Sequence, residues 1–176
     1  MINKFMFIPS LMWNILRKSE TRRWADMIEP HLVLGALPLS HFLPSLFTNH
    51  GITRVLSIVE PHEYEYVPCD LEKYGINNKC WIRCQDFYGL PAKTDFQRAL
   101  EFIKETKEQN ECVYVHCKAG RNRSAMLVIC HLIETYRLSY EVAFNRVKSK
   151  RPHILIGSNQ EKFIKDYYDS SNISTL

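Results

Sequence analysis

The sequence lacks the patterns by which cysteines usually bind zinc or build a disulfide framework. Its six cysteines lie at positions 69, 80, 84, 112, 117 and 130, with no CxxC pair and no Cys/His spacing typical of a zinc site. With 176 residues and a hydrophobic content of 45%, the chain can form a core without disulfides. These absences predict no structural zinc and a reducing compartment.

Internal repeats, low-complexity segments and a strong excess of one charge are also lacking. The net charge is +4 and charged residues make up 24% of the chain. This composition is that of a globular domain with a mild preference for anionic partners. It does not by itself indicate nucleic acid, and we predict no nucleic-acid partner.

The amino terminus differs in composition from the rest of the chain. Its first 24 residues contain five basic residues and one acid. Apolar side chains dominate residues 5–16, while Ser10, Asn14 and Arg17 fall on one face of a predicted helix. The run is shorter than the roughly 18 residues expected of a spanning helix. We favour a targeting or membrane-surface segment over residues 1–29; the alternative is a helix that packs on the domain.

Residues 30–176 are predicted to form one α/β domain. Short segments rich in β-forming residues predict strands at 31–37, 53–59, 80–84 and 112–117. Helical periodicity predicts helices at 94–110, 124–137, 139–150 and 158–170. Thr94 and Gln97 form a predicted capping box, and Ser139 and Ser158 are predicted helix starts. The alternation predicts a mostly parallel central sheet flanked by helices.

The segment VHCKAGRNRSA, residues 115–125, joins a predicted buried strand to a predicted buried helix. Such a loop presents several backbone N–H groups and the positive end of a helix dipole to one point. Gly120 lets the backbone curl tightly. An anion-binding loop favours the thiolate, so it lowers the pKa of the Cys117 thiol, and Arg123 can hold two phosphate oxygens. The segment therefore predicts a nucleophilic cysteine beside a phosphate site.

The residues His116, Cys117, Gly120, Arg123 and Ser124 fit the pattern HCxxGxxR[ST], which resembles the signature of dual-specificity-type, cysteine-dependent phosphatases. The resemblance implies the cysteine-phosphatase fold and a phosphocysteine intermediate at Cys117, without a metal or another cofactor. Ser124 is expected to donate a hydrogen bond to the sulfur, and His116 to organise the loop. The residues expected to bind the phosphoryl oxygens are Lys118, Ala119, Gly120, Arg121, Asn122 and Arg123.

The general acid of such enzymes is an Asp on a mobile loop that precedes the cysteine in the chain. Asp86 lies 31 residues before Cys117, in the loop QDFYGLP that follows the predicted strand 80–84. Asp95 is the rival candidate. It lies in the predicted capping box, where an acid is expected because it complements the helix dipole. We predict Asp86 as the acid that protonates the leaving group.

Within this superfamily the chain is similar to the mitochondrial PTP-like phosphatidylglycerophosphate phosphatases over roughly residues 30–165. The segments that carry this resemblance are VLGALPL (33–39), HEYE (62–65) and CVYVHCKAGRNRSA (112–125). The resemblance implies a phosphorylated lipid substrate, an anionic membrane surface and a peripheral place at the mitochondrial inner membrane. A phosphoprotein substrate and a cytoplasmic location remain the alternatives.

The loop carries two basic residues, Lys118 and Arg121, in addition to Arg123, which is expected to hold the scissile phosphoryl group. Lys118 and Arg121 are expected to hold the second phosphate of a lipid substrate, and the basic segment KSKRPH (148–153) is expected to attract an anionic membrane. A binding module without catalysis is disfavoured, because such modules usually lack the nucleophile, the arginine or the acid. Here Cys117, Arg123 and Asp86 are all present.

Overall fold

The structure, a computed structural model, describes residues 2–17, 19, 22–41, 43–87 and 89–173. Residues 1, 18, 20 and 21 of the predicted amino-terminal segment lie outside the described residues, as do residues 42, 88 and 174–176 of the predicted domain. The strands are β1 (Ala25–Glu29), β2 (Leu32–Gly35), β3 (Arg54–Val59), β4 (Asn78–Arg83) and β5 (Val113–His116). The helices are α1 (Ile2–Leu16), α2 (Leu43–His50), α3 (Pro61–Tyr64), α4 (Lys93–Glu108), α5 (Arg123–Tyr136), α6 (Tyr140–Lys150) and α7 (Ser158–Ile173).

The five strands form one sheet in the order β1-β2-β5-β3-β4. The strands β2, β5, β3 and β4 run parallel, and β1 pairs antiparallel with β2 at the edge. The mostly parallel sheet with flanking helices confirms the predicted fold class. Since β5 lies between two parallel neighbours, the loop that follows it leaves the middle of the sheet at its carboxyl edge, where ligands of such folds bind.

The side chains of the central strands alternate between two hydrophobic clusters, as the period of two in a strand requires. Val113 and Val115 of β5 pack in the larger cluster with buried residues of α4, α5, α6 and α7. Tyr114 points to the other face and packs with residues of α2 and of a 3-10 helix at Leu71–Tyr74. The core therefore holds β5 from both faces and fixes the point at which the following loop begins.

Four predicted strands appear near their predicted positions, whereas β1 was not predicted. β1 has the sequence ADMIE, in which the acids Asp26 and Glu29 are buried. Because acids occupy buried positions here, the segment does not show the alternation of apolar and polar residues that indicates a strand. Both acids have buried or half-buried cationic and histidine partners elsewhere in the chain, which the local pattern does not contain.

The predicted capping box of Thr94 and Gln97 is wrong. The helix α4 begins at Lys93 with Ala92 as its N-cap residue, and no side chain caps it. Thr94 therefore lies inside the first turn. The predicted start at Ser139 is confirmed, because its hydroxyl accepts a hydrogen bond from the Val142 amide at 3.4 Å.

The helix α1 packs on the domain and at the same time presents apolar side chains to solvent. Phe7 and Leu11 are buried in a cluster with Trp24, Ala36 and Leu37. Of the predicted polar face, Asn14 is buried and its side-chain oxygen accepts a hydrogen bond from Nη2 of Arg22 at 3.0 Å. Among the α1 side chains whose exposure is described, those of residues 6–16, five apolar ones are exposed, and these are Met6, Ile8, Met12, Trp13 and Leu16.

Apolar residues of α1 are thus divided between a packed face and an exposed one, whereas the sequence predicted one apolar face. Within the described part of the chain, no helix is long and apolar enough to span a membrane.

Candidate active site

The loop from Cys117 to Asn122 curls around the sulfur of Cys117. β5 ends at His116 and α5 begins at Arg123, so a strand end and a helix start are separated by only six residues. The Gly120 amide donates a hydrogen bond to Sγ of Cys117 at 3.2 Å, and Oγ of Ser124 donates to the same sulfur at 3.2 Å. The sulfur therefore occupies an anion site built from the loop and the first turn of α5.

Gly120 is required for this curl. Its φ is +64°, and a Cβ atom at this position would collide with the Gly35 carbonyl group of β2 and come within 2.7 Å of Nη2 of Arg151. A residue with a side chain would therefore meet both an unfavourable backbone conformation and occupied space. The loop can approach the carboxyl edge of the sheet this closely because residue 120 is glycine.

Electrostatics favour the thiolate form of Cys117. The thiol is buried, and burial alone raises the pKa of a thiol. The charge of Arg123 and the hydrogen bonds from the hydroxyl and amide of Ser124 outweigh this effect, so the pKa of Cys117 lies below its ordinary value. The nucleophilic form is thus more populated at neutral pH than for an ordinary cysteine.

Arg123 is fully buried, and its guanidinium group is the centre of the site's charge network. Nη1 and Nη2 pair with the two carboxylate oxygens of Glu63 at 2.5 and 3.0 Å. Nη1 also donates to the Cys84 carbonyl at 3.0 Å, and Nη2 lies 2.9 Å from Oδ1 of Asp86. Among the described residues, Nε of Arg123 has no hydrogen-bond partner, so one buried donor of the fork is available to a ligand.

The sequence did not predict a contact between Glu63 and Arg123. Glu63 lies on α3, directly after β3, and its own carboxylate accepts a hydrogen bond from the Glu60 amide at 2.8 Å. This capping interaction fixes the carboxylate that orients Arg123. The signal in the sequence was the acid after Pro61 in the segment HEYE, but its partner lies 60 residues further along the chain.

Asp86 follows β4 and faces the loop, as predicted, whereas Asp95 does not. The Asp86 carboxylate forms ion pairs with Lys118 and with Arg123. Asp95 lies in the first turn of α4 and pairs with Arg98 at 2.8 Å. Burial raises the pKa of Asp86, but the charges of Arg123 and Lys118 outweigh it, so its pKa is lowered and the carboxyl is ionised in the ligand-free site.

His116 is buried beneath the loop. One ring nitrogen, Nε2, lies 2.7 Å from Oγ of Ser57 on β3, and Nδ1 lies 3.2 Å from the Cys117 carbonyl oxygen. Burial lowers the pKa of His116 to about 3, so the ring is neutral at physiological pH. A neutral ring bonded on both sides fixes the end of β5 against β3.

The other predicted loop residues differ in where their side chains lie. Lys118 is buried, pairs with Asp86 and lies over the ring of Phe87 at 5.0 Å. Nε of Arg121 donates to the His153 carbonyl at 2.8 Å, and the Asn122 side chain donates to the Leu155 carbonyl at 3.1 Å. Lys118 thus reaches the site directly, whereas Arg121 and Asn122 hold the loop against the segment after α6.

Arg151 supports the loop from behind and was not predicted to do so. It is buried and pairs with Asp26 of β1 at 2.6 Å. Its Nε and Nη2 donate to the carbonyl groups of Gly120 and Ala119 at 2.6 and 3.2 Å. Within the predicted basic segment 148–153, Arg151 is therefore part of the loop's support, and the expectation that it attracts a membrane surface is wrong for this residue.

Comparison with known proteins agrees with this geometry. The family described as "Dual specificity phosphatase, catalytic domain" matches residues 34–170. The chain is 34% identical over 172 residues to phosphatidylglycerophosphate phosphatase PTPMT1 of Arabidopsis thaliana, covering 97% of this chain and 50% of that protein. It is 33% identical to PTPMT2 of the same plant, covering 93% of this chain and 72% of that protein. The chain thus spans half the length of the first of these relatives.

A solved structure also resembles this chain. The structure described as PTPMT1 in complex with PI(5)P superposes with a TM-score of 0.79 and 27% sequence identity, covering 87% of this chain and 99% of that one. The rat protein named phosphatidylglycerophosphatase and protein-tyrosine phosphatase 1 is 29% identical, covering 94% of this chain and 89% of that protein.

Proposed function

The chain belongs to the family of dual specificity phosphatase catalytic domains, and on this premise we propose that it removes the terminal phosphate from phosphatidylglycerophosphate. It is a cysteine-dependent phosphatase, so the proposal concerns its substrate and the roles of its residues. The proposed substrate rests on one observation: over 93–97% of its length, this chain is similar to two relatives named phosphatidylglycerophosphate phosphatases.

In the first step, Sγ of Cys117 attacks phosphorus. An S–P bond forms while the bond between phosphorus and the glycerol oxygen breaks, and Asp86 donates a proton to that oxygen. Arg123 and the loop amides bind the three phosphoryl oxygens and stabilise the charge of the transition state. Within the described part of the chain, Nε of Arg123 is a buried donor that has no hydrogen-bond partner. A phosphoryl oxygen can accept from it, which supports this role.

Substrate binding prepares Asp86 for this proton transfer. In the ligand-free site the charges of Arg123 and Lys118 keep Asp86 ionised. A dianionic phosphoryl group offsets those two charges, and this raises the pKa of Asp86 toward that of a proton donor. When the substrate binds, the side chains of Lys118 and Arg123 exchange their ion pairs with Asp86 for contacts with the phosphoryl group.

In the second step, Asp86 acts as a base. Its carboxylate accepts a proton from water, the water oxygen attacks phosphorus, and the S–P bond breaks to release inorganic phosphate and the Cys117 thiolate. The Ser124 hydroxyl, 3.2 Å from the sulfur, stabilises that thiolate as it leaves. The neutral ring of His116 holds the loop in place and exchanges no proton.

The exposed face of α1 is the proposed contact with the membrane that carries the lipid. We define this face by Met6, Ile8, Met12, Trp13 and Leu16, which are 46–75% exposed. On its buried side, the ring of Phe7 contacts the rings of His62 and Tyr66, close to Glu63 of the site. The same helix therefore connects an apolar surface to the element that orients Arg123, as expected of an enzyme that acts on a lipid at an interface.

Basic side chains lie near the carboxyl end of α1. Burial and the nearby charges of Arg121, Arg17 and Arg151 lower the pKa of Arg22. Arg22 also donates to Oδ1 of Asn14 on α1, so Arg22 and Arg121 place positive charge near both α1 and the phosphate-binding loop, whereas the charge of Arg151 is paired with Asp26. Such charge attracts an anionic membrane or the second phosphate of the substrate. We therefore propose a peripheral protein of the mitochondrial inner membrane, with α1 as its membrane contact; a cytoplasmic location is the alternative. Residues 25–29, which the sequence assigned to the membrane segment, instead form β1 of the central sheet.

The substrate is tested by phosphate release from phosphatidylglycerophosphate vesicles, PI(5)P vesicles and a phosphotyrosine peptide. The proposal expects the highest kcat/KM for phosphatidylglycerophosphate and no turnover by Cys117→Ser, because a serine hydroxyl is not ionised near neutral pH. If the peptide is the best substrate, the lipid assignment fails. The chain is then a protein phosphatase, the activity that the name of its rat relative also includes.

The membrane contact is tested with a double variant, Trp13→Ser with Leu16→Ser. It is expected to sediment less with anionic vesicles and to lose activity on the lipid, while hydrolysing para-nitrophenyl phosphate normally. Val142→Ser, which alters an exposed apolar side chain of α6, is the matched control. Equal vesicle binding by the double variant and the control would contradict the proposal. Point variants are used because deletion of α1 would also expose the core around Trp24.

A further inference from the structure

Three metal-ligating side chains meet at the end of the sheet away from the phosphate-binding loop. Glu29 is the last residue of β1, His31 lies in the turn before β2, and His131 lies on α5. The His31 carbonyl accepts a hydrogen bond from the amide of Val113, the first residue of β5. The cluster is therefore at the amino end of β5, and the phosphate-binding loop is at its carboxyl end.

The distances between these side chains suit a small cation. Nε2 of His31 and Nε2 of His131 lie 3.4 and 3.6 Å from the same oxygen, Oε2 of Glu29. One ligand atom from each of the three residues lies within 4.8 Å of the others. In a tetrahedral zinc site with bonds of about 2.0–2.2 Å, neighbouring ligand atoms are roughly 3.3–3.6 Å apart. Two of the three separations already match that geometry.

The three facing atoms lack other partners. In the described part of the chain, Oε2 of Glu29 and Nε2 of both histidines are buried and have no hydrogen-bond partner. The side chains of Glu29 and His131 are only 2% and 3% exposed, and that of His31 is 12% exposed. A buried polar atom without a partner costs free energy. Three such atoms that face one another are what a bound cation would satisfy together.

The remaining atoms of the cluster are held in the orientation that a metal site needs. Nη2 of Arg146 donates to Oε1 of Glu29 at 2.9 Å, which leaves Oε2 for an ion. Nδ1 of His131 lies 3.4 Å from Oγ1 of Thr135, a hydroxyl that can accept the Nδ1 proton. That arrangement leaves the lone pair of Nε2 free, as in histidines that bind metals.

An ion can reach the cluster from the surface. His131 lines a surface cavity of about 550 Å³, and His31 lines another of about 530 Å³. Lys107 lines both cavities, but its Nζ donates to the Tyr136 hydroxyl at 3.2 Å and lies over the Tyr136 ring. Its charge is therefore held by an aromatic partner beside the cluster.

We propose that Glu29, His31 and His131 bind a zinc ion. Two imidazole nitrogens and one carboxylate oxygen form a set that zinc accepts, with a water molecule as the fourth ligand. Magnesium and calcium prefer oxygen ligands, so two histidines disfavour them. The prediction of no structural zinc rested on Cys and His spacing along the sequence, and it did not consider ligands from three separate elements with a carboxylate among them.

The site would connect the β1–β2 turn to α5, the helix whose first turn binds the Cys117 sulfur. It would thus stabilise the fold at a distance from the catalytic residues, without contact with the substrate. Metal binding and stability, measured independently of turnover, are therefore the appropriate readouts.

The test is titration of Zn²⁺ into the chelator-treated full chain, with Cys117→Ser as the background so that the active-site thiolate does not compete. One zinc ion per chain and a raised Tm are expected. His31→Ala and Glu29→Gln should each weaken binding by more than about 100-fold, because even changes to residues behind metal ligands cost about 10–100-fold. His41→Ala, which removes an exposed histidine outside the cluster, should bind zinc like the background.

Cobalt provides a second measurement. Its spectrum is recorded in the Cys117→Ser background, so it does not depend on how well the cluster variants fold. Co²⁺ bound by two histidines and a carboxylate should give visible d–d absorption without the near-ultraviolet charge-transfer band of a thiolate ligand. Zinc binding that His31→Ala and Glu29→Gln leave unchanged, or a cobalt spectrum with thiolate ligation, would overturn the proposal. So would the absence of stoichiometric binding in the background protein.

Discussion

The buried ion pair between Glu63 and Arg123 makes a prediction about stability and catalysis together. Glu63→Gln keeps the side-chain volume and one acceptor oxygen but removes the negative charge. Both side chains are only 1% exposed, so water cannot replace the lost interaction. Removing one partner of a buried ion pair costs about 3–5 kcal/mol, because the other charge stays buried without compensation.

We expect a loss near the lower end of this range. Arg123 keeps two other partners, the Asp86 carboxylate at 2.9 Å and the Cys84 carbonyl at 3.0 Å. For a domain of this size each kcal/mol lowers Tm by about 2–4 °C, so a loss of about 3 kcal/mol lowers it by about 6–12 °C. The kcat/KM should fall as well, because the guanidinium loses the bidentate contact that sets its orientation toward phosphate.

Thermal unfolding followed by circular dichroism measures the first effect, and hydrolysis of para-nitrophenyl phosphate measures the second. The matched control is Glu65→Gln, which alters an exposed glutamate two residues further along the chain. A shift in Tm below about 2 °C for Glu63→Gln, which corresponds to about 1 kcal/mol or less, would refute the assignment of this pair as the support of Arg123. So would a kcat/KM equal to that of the control.

Three further substitutions test the roles at the site. Asp86→Ala should lower kcat by about 10²–10⁴-fold, less for substrates with good leaving groups, whereas Asp95→Ala should not; the opposite pattern in the two variants would show that the acid is misassigned. Ser124→Ala should raise the pKa of Cys117, because the thiolate loses a hydrogen bond, so the pH at which iodoacetamide alkylation becomes fast should move upward; an unchanged pH profile would contradict this role. Arg123→Lys keeps the charge but loses the fork, and should lower kcat by about 10²–10³-fold, the usual cost of one transition-state donor; near-normal turnover would exclude a bidentate role.

The arrangement of Cys117 within its loop could be predicted from the sequence because its interactions are local. Cys117 receives hydrogen bonds from Gly120 and Ser124, three and seven residues away. A strand that ends, a glycine and a helix that begins are all visible in one short segment, and they dictate where the loop amides point. The α/β fold class was predictable for a similar reason, since the four parallel strands and the longer helices each have their own periodicity.

The sequence offered two candidates for the general acid, Asp86 and Asp95, and the tertiary structure places them differently. Asp86 and Asp95 both lie between β4 and the first turn of α4, and either could have faced the loop. The structure pairs Asp86 with Lys118 and Arg123, whereas Asp95 pairs with Arg98 on its own helix. Only the packing of the segment after β4 against the loop distinguishes them.

The residues that support the site could not be predicted, because their partners are distant in the chain. Glu63 meets Arg123 across 60 residues, and Asp26 meets Arg151 across 125. An acid or an arginine that looks solvent-exposed in the sequence becomes buried only when folding supplies the opposite charge, since an unpaired buried charge is too costly to persist. By itself, the sequence determined the anion-binding loop and the alternation of the four parallel strands with the longer helices, through local hydrogen bonding and periodicity. Tertiary structure alone decided which distant charges compensate one another and which apolar side chains of α1 stay exposed.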